Sequence, residues 1–228
     1  MSDFAQLMKI EAEKLVPVLK KWRETLHRHP ELGFDLPFTH AFVHDELVKM
    51  GLGPVPCGKC VWTAVLEKPG GKTVLLRADM DALPLTEDTG EPFSSETPGK
   101  MHACGHDMHT AMLLGAAKLL KDHEDLLEGQ VKLMFQPAEE INGGAKDMVE
   151  AGILENPKVD MAEMIHVSTG VPFPTGMLLI PEGGAGASAC SDFEITVKGK
   201  GGHGSMPAQT ISPIAAICRI CTALEHGL

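Results

Sequence analysis

The sequence predicts an α/β protein with a largely parallel sheet flanked by helices. Three observations lead there. Helical and strand periodicities alternate along most of the chain. The segment 131–135, set between helical patterns, reads as a buried strand. The 228 residues are 43% apolar, enough for a sizeable core.

The elements follow in order. Leu7, Ile10, Leu15, Val18, Leu19, Trp22 and Leu26 recur at helical spacing and predict an amphipathic helix over 5–28. The turn at 29–33 (His-Pro-Glu-Leu-Gly) ends it. A second helix fits 38–50, with Phe42, Leu47 and Val48 inward and Gly51 as its stop. Residues 61–66 and 73–76 read as strands joined by a turn at Pro69, Gly70 and Gly71. The Pro/Gly/Ser/Glu-rich stretch 84–100 is a long loop, and such loops in compact domains usually carry function. Then come a helix over 107–121, the strand 131–135, a helix over 143–151 ending at Gly152, and a strand over 161–167 with His166 at its end.

A Gly/Ala/Ser-rich stretch at 181–188 marks a boundary between a first domain, 1–183, and a second, smaller unit, 184–228. In that unit 193–197 alternates like a strand and 211–224 like an amphipathic helix. One strand and one helix cannot bury a core alone, so the unit reads as incomplete.

A formal charge of −11 without a long basic run argues against nucleic acid or an anionic membrane as partner. No stretch is apolar enough to span a membrane. The charged residues of 3–24 are unlike a signal peptide, so a cytoplasmic location is the default expectation. The cysteines at 57/60 and 218/221 form two Cys-x-x-Cys pairs. They are too far apart for a zinc ribbon and read as buried or half-buried thiols. Residues 199–204 match G-x-G-x-x-G, but Pro207 and polar residues follow where a dinucleotide site needs a helix.

The chemistry concentrates in residues 101–109, Met-His-Ala-Cys-Gly-His-Asp-Met-His. Cys104 and His106, beside Asp107 and His109, are side chains that bind a borderline-soft divalent metal. Asp107 either caps the helix or, like His109, supports the site from behind. Residues 136–140 (Gln-Pro-Ala-Glu-Glu) follow the buried strand. Two adjacent carboxylates there repel unless a cation is near, so Glu139 and Glu140 suit metal binding and proton transfer. Asp79 and Asp81, where the strand beginning at Thr73 runs out, either cap the loop with Arg77 as an ion-pair partner or support the site. His166, at a strand end, is a further candidate ligand.

Five stretches together resemble the hippurate hydrolase and N-acyl-amino-acid amidohydrolase branch of the aminoacylase/carboxypeptidase-like dinuclear metallopeptidases. They are 26–34 (Leu-His-Arg-His-Pro-Glu-Leu-Gly-Phe), 77–84 (Arg-Ala-Asp-Met-Asp-Ala-Leu-Pro), 101–109, 136–140 and 201–207 (Gly-Gly-His-Gly-Ser-Met-Pro). The resemblance implies a zinc-exopeptidase-like catalytic domain with a small α+β lid. It implies two divalent ions, zinc, manganese, nickel or cobalt, held by Cys104, His106, Glu140 and His166. It makes Glu139 the general base and His203 a lid histidine that reaches the partner subunit's site in a homodimer. Asp79, Asp81, Asp107 and His109 remain supporting candidates, and the substrate is a small N-acylated amino acid. By the same resemblance the chain ends at Leu228 inside the first lid helix, before the family's last metal-ligand histidine. Two expectations follow: a metal-dependent amidohydrolase, or a catalytically silent metal-binding fragment of one.

Overall fold

Strand β4 (Gln130–Gln136) organises the fold. In the computed structural model, which describes residues 3–59, 62–68, 70–170, 172–184, 186, 190 and 193–227, Leu133, Met134 and Phe135 are buried in succession. β4 lies between β2 (Trp62–Leu66), to which it is antiparallel, and β3 (Thr73–Asp79), to which it is parallel. β1 (Val55–Pro56) pairs antiparallel with β2, and β5 (Met161–Met164) pairs parallel with β3. The order is β1-β2-β4-β3-β5.

The α/β class is as expected, but the sheet is mixed. Its parallel part is β4-β3-β5, and β2 with β1 runs the other way. β2 and β3 form no hairpin, because β4 lies between them. The strand with the most buried apolar side chains takes the middle of the sheet, where burial is greatest. β5 is an exposed edge strand that ends at Met164, short of the expected His166.

Helix α1 (Asp3–Arg28) packs on α3 (His106–Asp122) through its C-terminal turns, where Trp22 and Leu26 are buried. Ile10 and Val18, expected inward, are 46% and 39% exposed. Periodicity shows which side of a helix is apolar, but not how much of its length finds a partner. α2 (Pro37–Lys49) starts with Pro37 in its first turn. The Glu31 carboxylate accepts the N–H groups of Phe38 at 2.9 Å and Thr39 at 2.8 Å. It satisfies two of the donors that a helix start leaves open. Val43 and Leu47 face the core, while Val48 is exposed.

α4 (Gly144–Glu150) begins directly against the preceding turn. A methyl group on Gly144 would overlap the Pro137 carbonyl oxygen, a main-chain atom that cannot rotate away. Gly144→Ala is therefore expected to destabilise the chain by about 1–3 kcal/mol, the usual range for overpacking. Urea unfolding against the unsubstituted chain checks this, and an unchanged midpoint would refute it.

The chain divides into two compact units at Val171/Pro172, upstream of the composition boundary at 183/184. In the second unit the described residues of 172–184 have no helix or strand. The strand expected at 193–197 is also absent, and its residues are mostly exposed. An isolated extended segment has no ladder partner, and among the described residues of this unit a single bridge forms, between Lys200 and Ile211. α5 (Pro213–Gly227) matches the expected helix but buries none of its described residues. Cys57 is buried, whereas Cys218 and Cys221 are exposed, contrary to expectation, and Cys60 lies outside the described residues. Among the described residues no helix is long and apolar enough to cross a membrane.

Candidate metal centre

The parallel strands bring the motifs to one edge. In the β3–β4 register Asp79 stands beside Gln136. The segments carrying Asp79 and Asp81, and Glu139 and Glu140, therefore leave the sheet side by side, at the carboxyl ends where α/β sheets collect ligands. The loop 84–100 is closed at its base by paired hydrogen bonds between Leu83 and Met101, both 3.0 Å. That closure returns Cys104 and His106 to the same edge. Gly105, with φ +86°, makes the left-handed turn before His106 opens α3.

His106 is the centre of the cluster and is fully buried. Its Nε2 stands 3.6 Å from Asp79 Oδ2, 3.7 Å from Glu140 Oε1 and 3.9 Å from Glu139 Oε2. Its Nδ1 is 3.7 Å from Asp81 Oδ1. These separations exceed hydrogen-bond length, and neither ring nitrogen has a hydrogen-bond partner; nor does the buried Glu140 Oε1. Cys104 Sγ and His166 Nε2 lie 3.3 Å apart. The His166 Nδ1–H donates to the Val167 carbonyl at 2.6 Å, which leaves the Nε2 lone pair facing the thiol. Cys104, His106 and His166 offer ligand atoms within 4.8 Å of one another, and so do His106, Glu139 and Glu140.

Buried polar atoms without partners are costly, and a cation would satisfy this set. The donors fit: one thiol, two imidazoles and carboxylates suit zinc and its neighbours. The electrostatics agree. Burial and the carboxylates of Glu140, Asp79 and Glu139 push the Cys104 thiol up to about 12. Burial would lower His106, but Asp81, Asp79 and Glu140 outweigh it and raise the imidazole. Burial raises Glu140, helped by Glu139 and Asp81 against the opposing pull of His106. A divalent ion would relieve every one of these shifts, displacing protons from Cys104 and His106 as it enters.

The supporting candidates divide. Asp81 is buried, and its two oxygens accept the N–H groups of Glu139 at 2.9 Å and Glu140 at 3.2 Å. It holds both glutamates by their main chain. Asp79 accepts from His109 Nδ1 at 2.5 Å and pairs with Arg77 Nη1 at 2.7 Å. Burial would raise its carboxyl, yet His109, Arg77 and His106 hold it at about 2. His109 and Asp79 also fall within ligand reach of His106.

Asp107 neither caps α3 nor turns to this cluster. Its Oδ2 accepts from Arg23 Nε and His27 Nδ1, both at 2.8 Å, and so fastens α3 to α1. The other side of His27 meets Glu87 Oε1 at 3.2 Å, and Arg23 lies over the Phe93 ring at 4.5 Å, so the loop 84–100 is tied down as well. Burial would lower His27, but its bonds to Asp107 and Glu87 raise it above 6.5. A raised histidine contributes its stability fully below 6.5, and the contribution fades as pH rises through the folded-state value. His27→Gln is expected to remove this fading, so that stability changes less between pH values on either side of that range. Unfolding curves at the two pH values check it; parallel pH profiles for both chains would refute it.

His203 belongs to the second unit and is exposed. Its Nδ1 accepts the Ser205 N–H at 3.3 Å and contacts Ser205 Oγ at 2.8 Å, which places the ring proton on Nε2. Periodicity and motif spacing did not reveal Arg23, His27 or Glu87 as parts of the site's frame, whereas Arg77 is the ion-pair partner of Asp79 that the sequence suggested. Residue type and spacing assigned no role to His102 within 101–109. It is buried without a hydrogen-bond partner, and burial holds its imidazole down at about 4. The signal for it was position alone, two residues before Cys104.

The chain is similar to known proteins over most of its length. The chain is 42% identical to thermostable carboxypeptidase 1 of Saccharolobus solfataricus over 228 residues, covering 97% of this chain and 56% of the relative. It is 41% identical to an N-acyl-L-amino acid amidohydrolase of Geobacillus stearothermophilus, covering 96% of this chain and 60% of the relative. A dinuclear metal-binding peptidase of the M20 family from Bacillus subtilis superposes with a TM-score of 0.65 at 36% identity, over 72% of this chain and 45% of that one. The chain thus spans little more than half the length of these curated relatives. The sequence profile of Peptidase family M20/M25/M40 matches residues 75–222, well over half of the 228. The chain belongs to this family.

Proposed function

We propose that the protein is a metal-dependent amidohydrolase that cleaves the amide bond of small N-acyl amino acids. The observation that carries the reading is His106, fully buried with both ring nitrogens unpaired among Cys104, His166, Glu139 and Glu140. The amidohydrolase at 41% identity supports the substrate class. Cys104, His106, Glu140 and His166 would hold two divalent ions, of zinc, manganese, nickel or cobalt. When bound, such ions supply the positive charge that acidifies a water and polarises the amide carbonyl.

Glu139 and Glu140 take different roles. The Glu140 side chain is 20% exposed, with one buried and unpaired oxygen, and faces the cation position. The Glu139 side chain is 39% exposed. Glu139 accepts the proton of the attacking water and returns it to the amine nitrogen as the C–N bond breaks. Asp81 keeps both glutamates in place through their N–H groups. In a homodimer His203 of one copy, with its proton on Nε2, would donate to the carbonyl oxygen at the other copy's site as negative charge develops there. α5, which exposes Ile214 and Ile217, is the proposed contact between two copies.

The test is to measure metal content and hydrolysis of hippurate and N-acetyl amino acids, both for the natural polypeptide and for the 228 residues alone. Metal binding with chelator-sensitive hydrolysis supports the reading. Metal binding without turnover by the 228 residues favours the silent fragment. No metal binding by either overturns the site.

A further inference from the structure

We propose that His109 is a positioning residue for His166, acting through the main chain of Val167; this rests on the metal-site reading above. His109 lies on α3 close after His106 and is buried. Its Nε2 accepts the Val167 N–H at 2.9 Å, and its Nδ1–H donates to Asp79 Oδ1 at 2.5 Å. Both ring nitrogens are engaged with the protein, so His109 has no lone pair to offer a cation, although it stands within ligand reach of His106.

The consequence falls on the far side of Val167. The β3–β5 ladder ends at Met164, and His166 is exposed beyond it. A chain leaving an edge strand has little to direct it, yet a metal ligand must point within a narrow range. The bond from Val167 to His109 ties this segment to α3. Once Val167 is held, the donation from His166 Nδ1 to the Val167 carbonyl turns Nε2 toward Cys104. The anchor extends back into the sheet. Asp79 pairs with Arg77, and Arg77 Nε donates to Gln136 at 2.8 Å, at the end of the strand that leads to Glu139. A histidine–carboxylate pair behind a metal site commonly orients a ligand's ring. Here the pair orients the ligand's backbone.

The test uses the whole chain and measures cobalt(II) affinity by competition for the parent, His109→Phe, His109→Gln, His166→Ala and His109→Phe combined with His166→Ala. His109→Phe is expected to weaken binding by about 10–100-fold, the usual cost of losing an outer partner. His109→Gln should recover much of this, since one amide can both donate and accept. In the His166→Ala background His109→Phe should cost nothing further, because its effect passes through His166. Additive losses, or unchanged affinity in His109→Phe, overturn the proposal. Amide exchange at Val167 in the metal-free chain is the second measurement. It should quicken in His109→Phe and stay slow in His109→Gln; equal protection in all three chains overturns the tie. If the parent binds no cobalt, the metal reading fails, and the exchange arm still decides whether His109 holds Val167.

Discussion

Glu139→Gln is expected to leave metal uptake intact and to lower turnover by about 10²–10⁴-fold, the usual contribution of a positioned acid–base group. The substitution keeps size and shape. It also leaves the Glu139 N–H bonded to Asp81, so the main chain of the turn should not move. What it removes is the ability to take a proton. Glu140→Gln is the opposite case. Its carboxylate has a buried oxygen without a partner beside His106, so losing its charge should weaken metal binding first and turnover as a result. Elemental analysis of both variants, with hydrolysis of N-acyl amino acids at saturating metal, separates the two roles. Wild-type turnover in Glu139→Gln would refute its assignment as base. Equal metal loss in both variants would refute the division of labour.

Gly105→Ala is expected to lower both stability and metal affinity. Gly105 has φ +86°, and a left-handed backbone costs a residue with a Cβ about 1–2 kcal/mol. The added methyl would also lie 2.5 Å from Val167 Cγ2. Gly105 sits between Cys104 and His106, and Val167 follows His166, so relieving the collision means parting the two halves of the cluster. A loss of about tenfold or more in affinity corresponds to only about 1.4 kcal/mol, well within this strain. Thermal unfolding with and without zinc measures both effects. Val167→Ala in the same chain should restore the steric part and leave the backbone part. If the double variant is no better than Gly105→Ala, the collision is not the cause.

The residues of the cluster were legible because metal chemistry restricts side-chain type so strongly. A thiol, imidazoles and adjacent carboxylates within short stretches have few other uses together. The resemblance then assigned roles to Glu139, Glu140 and His166 that spacing alone left open. Asp107 shows the limit. It stands next to His106 in the chain, and its carboxylate turns away to Arg23 and His27, residues some eighty positions earlier. At the start of a helix, neighbouring side chains point in different directions, so adjacency in sequence says little about adjacency in space. The same limit explains Val48, Ile10 and Val18, apolar residues at helical positions that the packing leaves exposed.

The sequence by itself determined most of the local elements of the first unit, the α/β class and the residue types of the site. Each of these follows from short-range pattern or residue type. The tertiary structure decided the rest: that β4 separates β2 from β3, that Asp81 accepts the N–H groups of both glutamates, and that His109 accepts the Val167 N–H. These are contacts between residues 57 to 71 positions apart. They arise because the parallel strands β3, β4 and β5 place their carboxyl ends together, and strand order is chosen by burial over the whole sheet, a quantity no local pattern contains.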